Sequence, residues 1–141
     1  DPSMIHEIAQ RAVNTGFREA EALTDETGAY AYRLTKDGDV FYLVTKEYAF
    51  KGLASFILEV VEKAASENGY LVFYRADEDE TFVFDGKYVE SFARPSSGAS
   101  KTREAEWREL ELDAGCRLGA FLRGEDSPET LAGKNRTLLS Y

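Results

Sequence analysis

The chain has 141 residues, 43% hydrophobic and 30% charged, enough for one domain with a packed core and too few for two independent ones. Lys and Arg total 17 against 26 for Asp and Glu, a net charge of -9. Such a surface repels nucleic-acid phosphates and anionic membranes, except at molar salt, where the Debye length shrinks to about 3 Å.

Asp1-Pro2-Ser3 reads as a cloning remnant ahead of Met4, with a single domain expected over 4–133 and a loose tail over 134–141. The N-terminal stretch is amphipathic and acidic, unlike a signal or transit peptide, and no apolar run reaches the length of a membrane span. Ile5, Ile8, Ala9, Ala12, Val13 and Phe17 recur at steps of three and four. That spacing predicts an amphipathic helix over 4–22, with Ser3 as its N-cap. Residues 30–35 alternate as a strand, and Asp37-Gly38 suits a type I′ hairpin turn, which needs φ > 0 twice. Residues 40–45 return as a strand apolar on both faces, expected near the centre of a sheet.

Leu53, Phe56, Ile57, Val60, Val61, Ala64 and Ala65 predict a second amphipathic helix, closed by Asn68-Gly69. Residues 70–74 and 81–84 read as strands on either side of a solvated acidic run, Asp77-Glu78-Asp79-Glu80. Residues 88–92 either extend the sheet or form a short helix. Residues 94–100 form a loop, 107–112 a late strand, and Ser127-Pro128-Glu129 the start of a last helix. The order α-β-β-α-β-β-β-α predicts one α/β or α+β domain. Its mixed or antiparallel sheet would come from two hairpins plus the late strand, with both amphipathic helices packed on it.

Residues 77–87 admit two chemistries. Asp85-Gly86-Lys87 is ordinary turn chemistry beside a solvated acidic loop. Alternatively, Asp85 and Lys87 share one face of a strand, and Asp77 or Asp79 from a neighbouring strand completes a Mg²⁺ site in which the lysine polarises a water. That set resembles the motif of the PD-(D/E)xK, restriction-endonuclease-like superfamily. A competing set lies in the first half of the chain, where helix, hairpin, helix and strand follow that superfamily's order. There Lys46 stands at the motif lysine, Asp37 or Asp39 at the motif aspartate, and Glu19 or Glu21 at the helix acid. Val44 occupies the position two before Lys46, where the superfamily has an acid. The resemblance therefore implies a degenerate or inactive member.

Residues 42–50, 82–85 and 100–103, the last just before Trp107, resemble small acidic proteins of haloarchaea. That resemblance implies a cytoplasmic setting and tolerance of high salt, and it brings no activity with it. Lys101, Arg103 and Arg108 around Trp107 would contact a phosphate or a partner, with the indole available for stacking. Glu104, Glu106, Glu109 and Glu111 interleave with them, which reads as a mixed-charge solvated face. One Cys and one His exclude an internal disulfide and a Cys/His zinc site within the chain. His6 stands alone near the N-terminus, and Cys116 fits a small core residue.

Two functions are expected from different classes. One is a non-catalytic cytoplasmic module that needs no cofactor. It would bind a protein partner, or its own copy as a homodimer, through aromatic residues on a sheet edge. The other is a Mg²⁺-dependent nuclease, or a descendant that only binds nucleic acid. In it Asp39, Asp77 and Asp85 would hold the metal and Lys46 or Lys87 would orient the water.

Overall fold

Two sheets make up the body of the computed structural model, which describes residues 7, 9–10, 13, 16–26, 28–46, 52–75, 80–96 and 106–111. In chain order the elements are β1 (Arg18–Asp25), β2 (Gly28–Lys36), β3 (Asp39–Lys46), β4 (Leu53–Ile57), α1 (Leu58–Ser66), β5 (Tyr70–Arg75), β6 (Glu80–Asp85), α2 (Gly86–Phe92), β7 (Arg94–Pro95) and β8 (Trp107–Glu111). The architecture is broadly α+β. A five-stranded sheet runs β1-β2-β3-β5-β6, and a three-stranded sheet runs β4-β8-β7.

Asp37 and Gly38 have φ of 52° and 85°, both in the left-handed region, and Lys36 pairs with Asp39 across the turn. β3 then pairs parallel with β5, and every other pairing among the described residues is antiparallel. A parallel pair needs a long crossover, and here β4 and α1 supply it. β3 and β5 are buried on both sides because each face of the larger sheet carries its own core. Phe41, Leu43, Tyr70, Val72 and Val83 pack on one face with Ala9 and Phe17. Tyr42, Val44, Leu71, Phe73, Phe82 and Phe84 pack on the other with α1 and β4.

The first helix is shorter than its apolar spacing predicts. Glu7, Ala9, Gln10 and Val13 are helical, but Gly16 takes φ 105° and donates its N–H to the Val13 carbonyl at 3.1 Å. Residues 18–22 then run as edge strand β1 rather than helix. Their helix-favouring Glu and Ala yield to a ladder with β2, whose register breaks between Glu19 and Glu21 and between Leu23 and Thr24.

The second helix starts five residues later than predicted. Leu53, Phe56 and Ile57 fit a helical period, but they belong to β4, which pairs with β8 from Leu53↔Glu111 to Ile57↔Trp107. That partner lies beyond any local window, so periodicity alone reads the segment as helix. No side chain caps α1; the Leu58 N–H is taken by the Glu106 carbonyl at 2.8 Å. The late strand therefore joins β4 in a second sheet instead of extending the first. Arg94 and Pro95, predicted as loop, pair with Glu109 and Arg108.

Asp85-Gly86-Lys87 is not a hairpin turn, and the strand does not run through it: Asp85 ends β6, and Gly86 and Lys87 open α2. Asp85 is the N-cap of α2, and its Oδ1 accepts the N–H groups of Lys87 at 2.8 Å and Tyr88 at 3.3 Å. Asn68 takes φ 54° just past α1, as a left-handed C-terminal residue should. The expected last helix at 127–129, the tail at 134–141, His6 and Cys116 lie outside the described residues.

Candidate functional site

The strand registers fix where the candidate acids and lysines stand. Asp39 and Lys46 occupy opposite ends of β3, about 23 Å apart at 3.3 Å per residue. Lys46 pairs with Arg75, which pairs with Glu80, so three charged residues form one row at that end of the sheet. Asp85 sits at the other end: it pairs with Tyr70, which pairs with Phe41, two residues from Asp39. Glu19 and Glu21 are on β1, with β2 between them and β3, and Asp37 is in the exposed hairpin turn.

Lys87 is exposed on α2, and the Asp85 carboxylate is turned onto the helix amides. Asp77 and Asp79 lie outside the described residues, in the segment joining Arg75 to Glu80. Among the described residues no group of three His, Cys, Asp or Glu is arranged to hold a metal ion. The capping role predicts its own test. Asp85→Ala should cost about 1 kcal/mol in a urea melt, whereas Asp85→Asn, an equally good cap, should melt with the wild type. A calorimetric Mn²⁺ titration should be the same for Asp85→Asn and the wild type. Saturable binding lost in Asp85→Asn would make the carboxylate a ligand.

The mixed-charge reading of the late strand describes its visible part. Arg108 donates to the Trp107 carbonyl at 3.1 Å and pairs with Glu106 at 3.5 Å. Arg94 donates from Nε to Glu109 Oε1 at 3.2 Å. Trp107 is half-buried against the core between the two sheets, and Lys101 and Arg103 lie outside the described residues.

Three features were not anticipated. The first is an exposed aromatic at the end of α2. Phe92 is 55% exposed, the one exposed large hydrophobic among the described residues, and its ring stacks on Tyr88 at 5.1 Å and 24°. It lies beside exposed Arg94 and Pro95. The exposed aromatic residue thus stands on a helix and not on a sheet edge; most strand aromatics are buried in the two cores. Tyr88 and Phe92 are four residues apart, a spacing that shows them on one helical face once 88–92 is read as helix.

The second is a shallow groove of about 510 Å³ lined by Glu59, Glu62, Lys63, Ala65, Ser66 and Glu90, between α1 and α2. Three carboxylates face one ammonium there, so it suits solvated ions better than an apolar ligand.

The third is a cross-element contact. Glu67 Oε1 accepts the Tyr42 hydroxyl at 2.7 Å, and Oε2 accepts Arg33 Nε at 3.0 Å and Nη2 at 2.9 Å. Burial, then the hydrogen bond to the Glu67 carboxylate, pushes the Tyr42 phenol up to about 12. The Arg33 guanidinium is raised, chiefly by its hydrogen bond to Glu67. Burial works to raise Glu67, but the bonds from Arg33 and Tyr42 outweigh it and hold the carboxyl below its ordinary range.

Tyr42 gives a signed expectation at high pH. Between pH 10.0 and about 12 the folded chain keeps a proton that the unfolded chain loses, so stability must fall across that window. The fall is at most about 2–3 kcal/mol, at about 1.4 kcal/mol per unit, because the hydroxyl faces partly exposed partners. Stability measured against pH should show a shallower alkaline slope in Tyr42→Phe than in the wild type.

No described helix is long and apolar enough to cross a membrane. Compared with protein-family models, curated proteins and solved structures, the chain matches none.

Proposed function

We propose that the chain is a non-catalytic module that binds a protein partner or its own copy, and that it does so through the corner where α2 meets β7. The observation that carries this reading is Phe92, a large apolar ring more than half exposed and backed by Tyr88. A rigid aromatic pair flanked by Arg94 is the composition of an interface hot spot, in which few residues supply most of the binding energy. Edge strand β1 is less suited. Its two register breaks twist the ladder, and exposed Arg18 and Glu21 oppose apolar docking. An acidic surface of net charge -9 also fits a salt-rich cytoplasm, where screening lets like-charged chains approach.

The test is sedimentation velocity of the wild type and Phe92→Asp across a range of KCl concentrations. Self-association that grows with salt and is lost in Phe92→Asp supports a homodimer through this corner. A wild type that stays monomeric, with a captured partner whose binding Phe92→Asp weakens about tenfold or more, supports a different protein partner. Association or capture indifferent to Phe92→Asp removes the proposal.

A further inference from the structure

Glu67 stands at a junction of four elements. As the C-terminal cap of α1 it donates its own N–H to the Lys63 carbonyl at 3.2 Å. Its two carboxylate oxygens go to different strands, one to Tyr42 on β3 and one to Arg33 on β2. The chain then turns through Asn68, whose N–H reaches the Ala65 carbonyl at 3.2 Å, and Gly69, whose N–H reaches the Ala64 carbonyl at 2.8 Å. The Gly69 carbonyl accepts the Gly86 N–H, the first amide of α2, at 2.8 Å. One carboxylate thus ties the end of α1 to two strands, and two residues later that end holds the start of α2.

The contact below the junction has no slack. A Cβ on Gly86 would lie 2.8 Å from the Gly69 carbonyl oxygen and 2.9 Å from backbone atoms of Ala64 and Ala65. A small displacement of the α1 terminus must either break the Gly69–Gly86 bond or carry α2 with it, because close-packed elements do not deform continuously.

We propose that Glu67 is a charge latch: ionised, it clamps the end of α1 to β2 and β3 and so fixes α2; protonated, it releases Arg33, and α2 opens locally while both sheets stay folded. The groups facing it are Arg33 from β2, Tyr42 from β3 and Lys63 one turn back on α1. Arg33 keeps its charge and Tyr42 its proton throughout the acid range, so Glu67 is the member of this set that titrates there. Its folded-state affinity for a proton is lowered below the ordinary value of 4.5. The clamp is accordingly complete above that value and is lost as pH falls through the lower, folded one.

Amide hydrogen exchange tests the latch, with protection at Gly86 read against protection at Val72 in the middle of β5. In the wild type, Gly86 should lose about tenfold or more in protection relative to Val72 as pH falls below the ordinary Glu range, the size expected for hydrogen bonds to a charged group. Glu67→Gln, made together with Asp85→Asn so that no carboxylate caps α2, should show that loss already at neutral pH and no further acid step. Tyr42→Phe, which leaves the Arg33 arm in place, should keep the step at a higher pH. Gly86 and Val72 losing protection together at every pH would overturn the proposal. A chain with both substitutions that keeps the wild-type acid step would overturn it too. If that double variant does not fold, the wild-type profile and Tyr42→Phe decide the matter.

Discussion

Gly86→Ala is expected to destabilise the chain by about 3 kcal/mol, an unusually large effect for adding one methyl group. The cause is contact, not backbone strain, since Gly86 lies outside the left-handed region and alanine favours a helix. The new Cβ would meet three backbone atoms at 2.8 to 2.9 Å, and backbone cannot swing aside as a side chain can. Relief requires α2 to lift from the end of α1, which costs the Gly69–Gly86 hydrogen bond and loosens buried Val89. Urea melts of Gly86→Ala and the neighbouring Lys87→Ala measure this directly. Lys87 is exposed, so its variant should stay within about 0.5 kcal/mol of wild type. Similar midpoints for the two variants would mean that the helices do not approach so closely.

Phe56→Ala should cost more, about 3–5 kcal/mol, the range for truncating a fully buried aromatic. Phe56 is 0% exposed and stands on β4 of the smaller sheet. Its ring meets Phe73 edge-on at 5.9 Å and Phe84 at 6.0 Å, both on strands of the larger sheet. It is an aromatic bridge between the sheets, and removing it leaves a cavity between them. Against a total stability of about 5–15 kcal/mol, such a loss brings the chain near its unfolding threshold. Phe56→Leu keeps much of the volume and should lose far less, about 1.5 kcal/mol. Thermal and urea melts of the pair give the comparison. A loss under about 1 kcal/mol in Phe56→Ala would place the sheets' contact elsewhere.

What the sequence discloses divides along the range of the interactions. The β2–β3 hairpin is legible because Asp37-Gly38 carries its own conformational demand, met within two residues. The buried centre is legible because 40–45 and 70–74 lack polar alternation, as strands covered on both faces must. By contrast, 53–57 has a helical spacing and becomes a strand only because β8 is present to pair with it. The segment 18–22 likewise follows β2 rather than its own propensity.

The candidate residues fared by the same rule. Asp85 is polar and sits before a glycine, a pattern shared by turns and helix caps, and spacing alone does not separate the two. Only the approach of Gly86 to Gly69, Ala64 and Ala65 explains why that glycine is there. Glu67 gives no local signal at all, since its partners Arg33 and Tyr42 stand 34 and 25 residues away.

The pairing of β4 with β8 also sets a timetable for biosynthesis. The hairpin, α1 and the β5–β6 pair all join near neighbours and can form as the chain emerges from the ribosome. β4 must wait for β8, whose first partner residue, Trp107, follows Ile57 by about 50 residues, or roughly 3 to 10 seconds at ordinary elongation rates. Through that interval Leu53–Ile57, a nascent strand holding Phe56, has its hydrogen-bonding groups unmatched by β8. Among the described elements the smaller sheet is therefore the last to be completed as the chain is made.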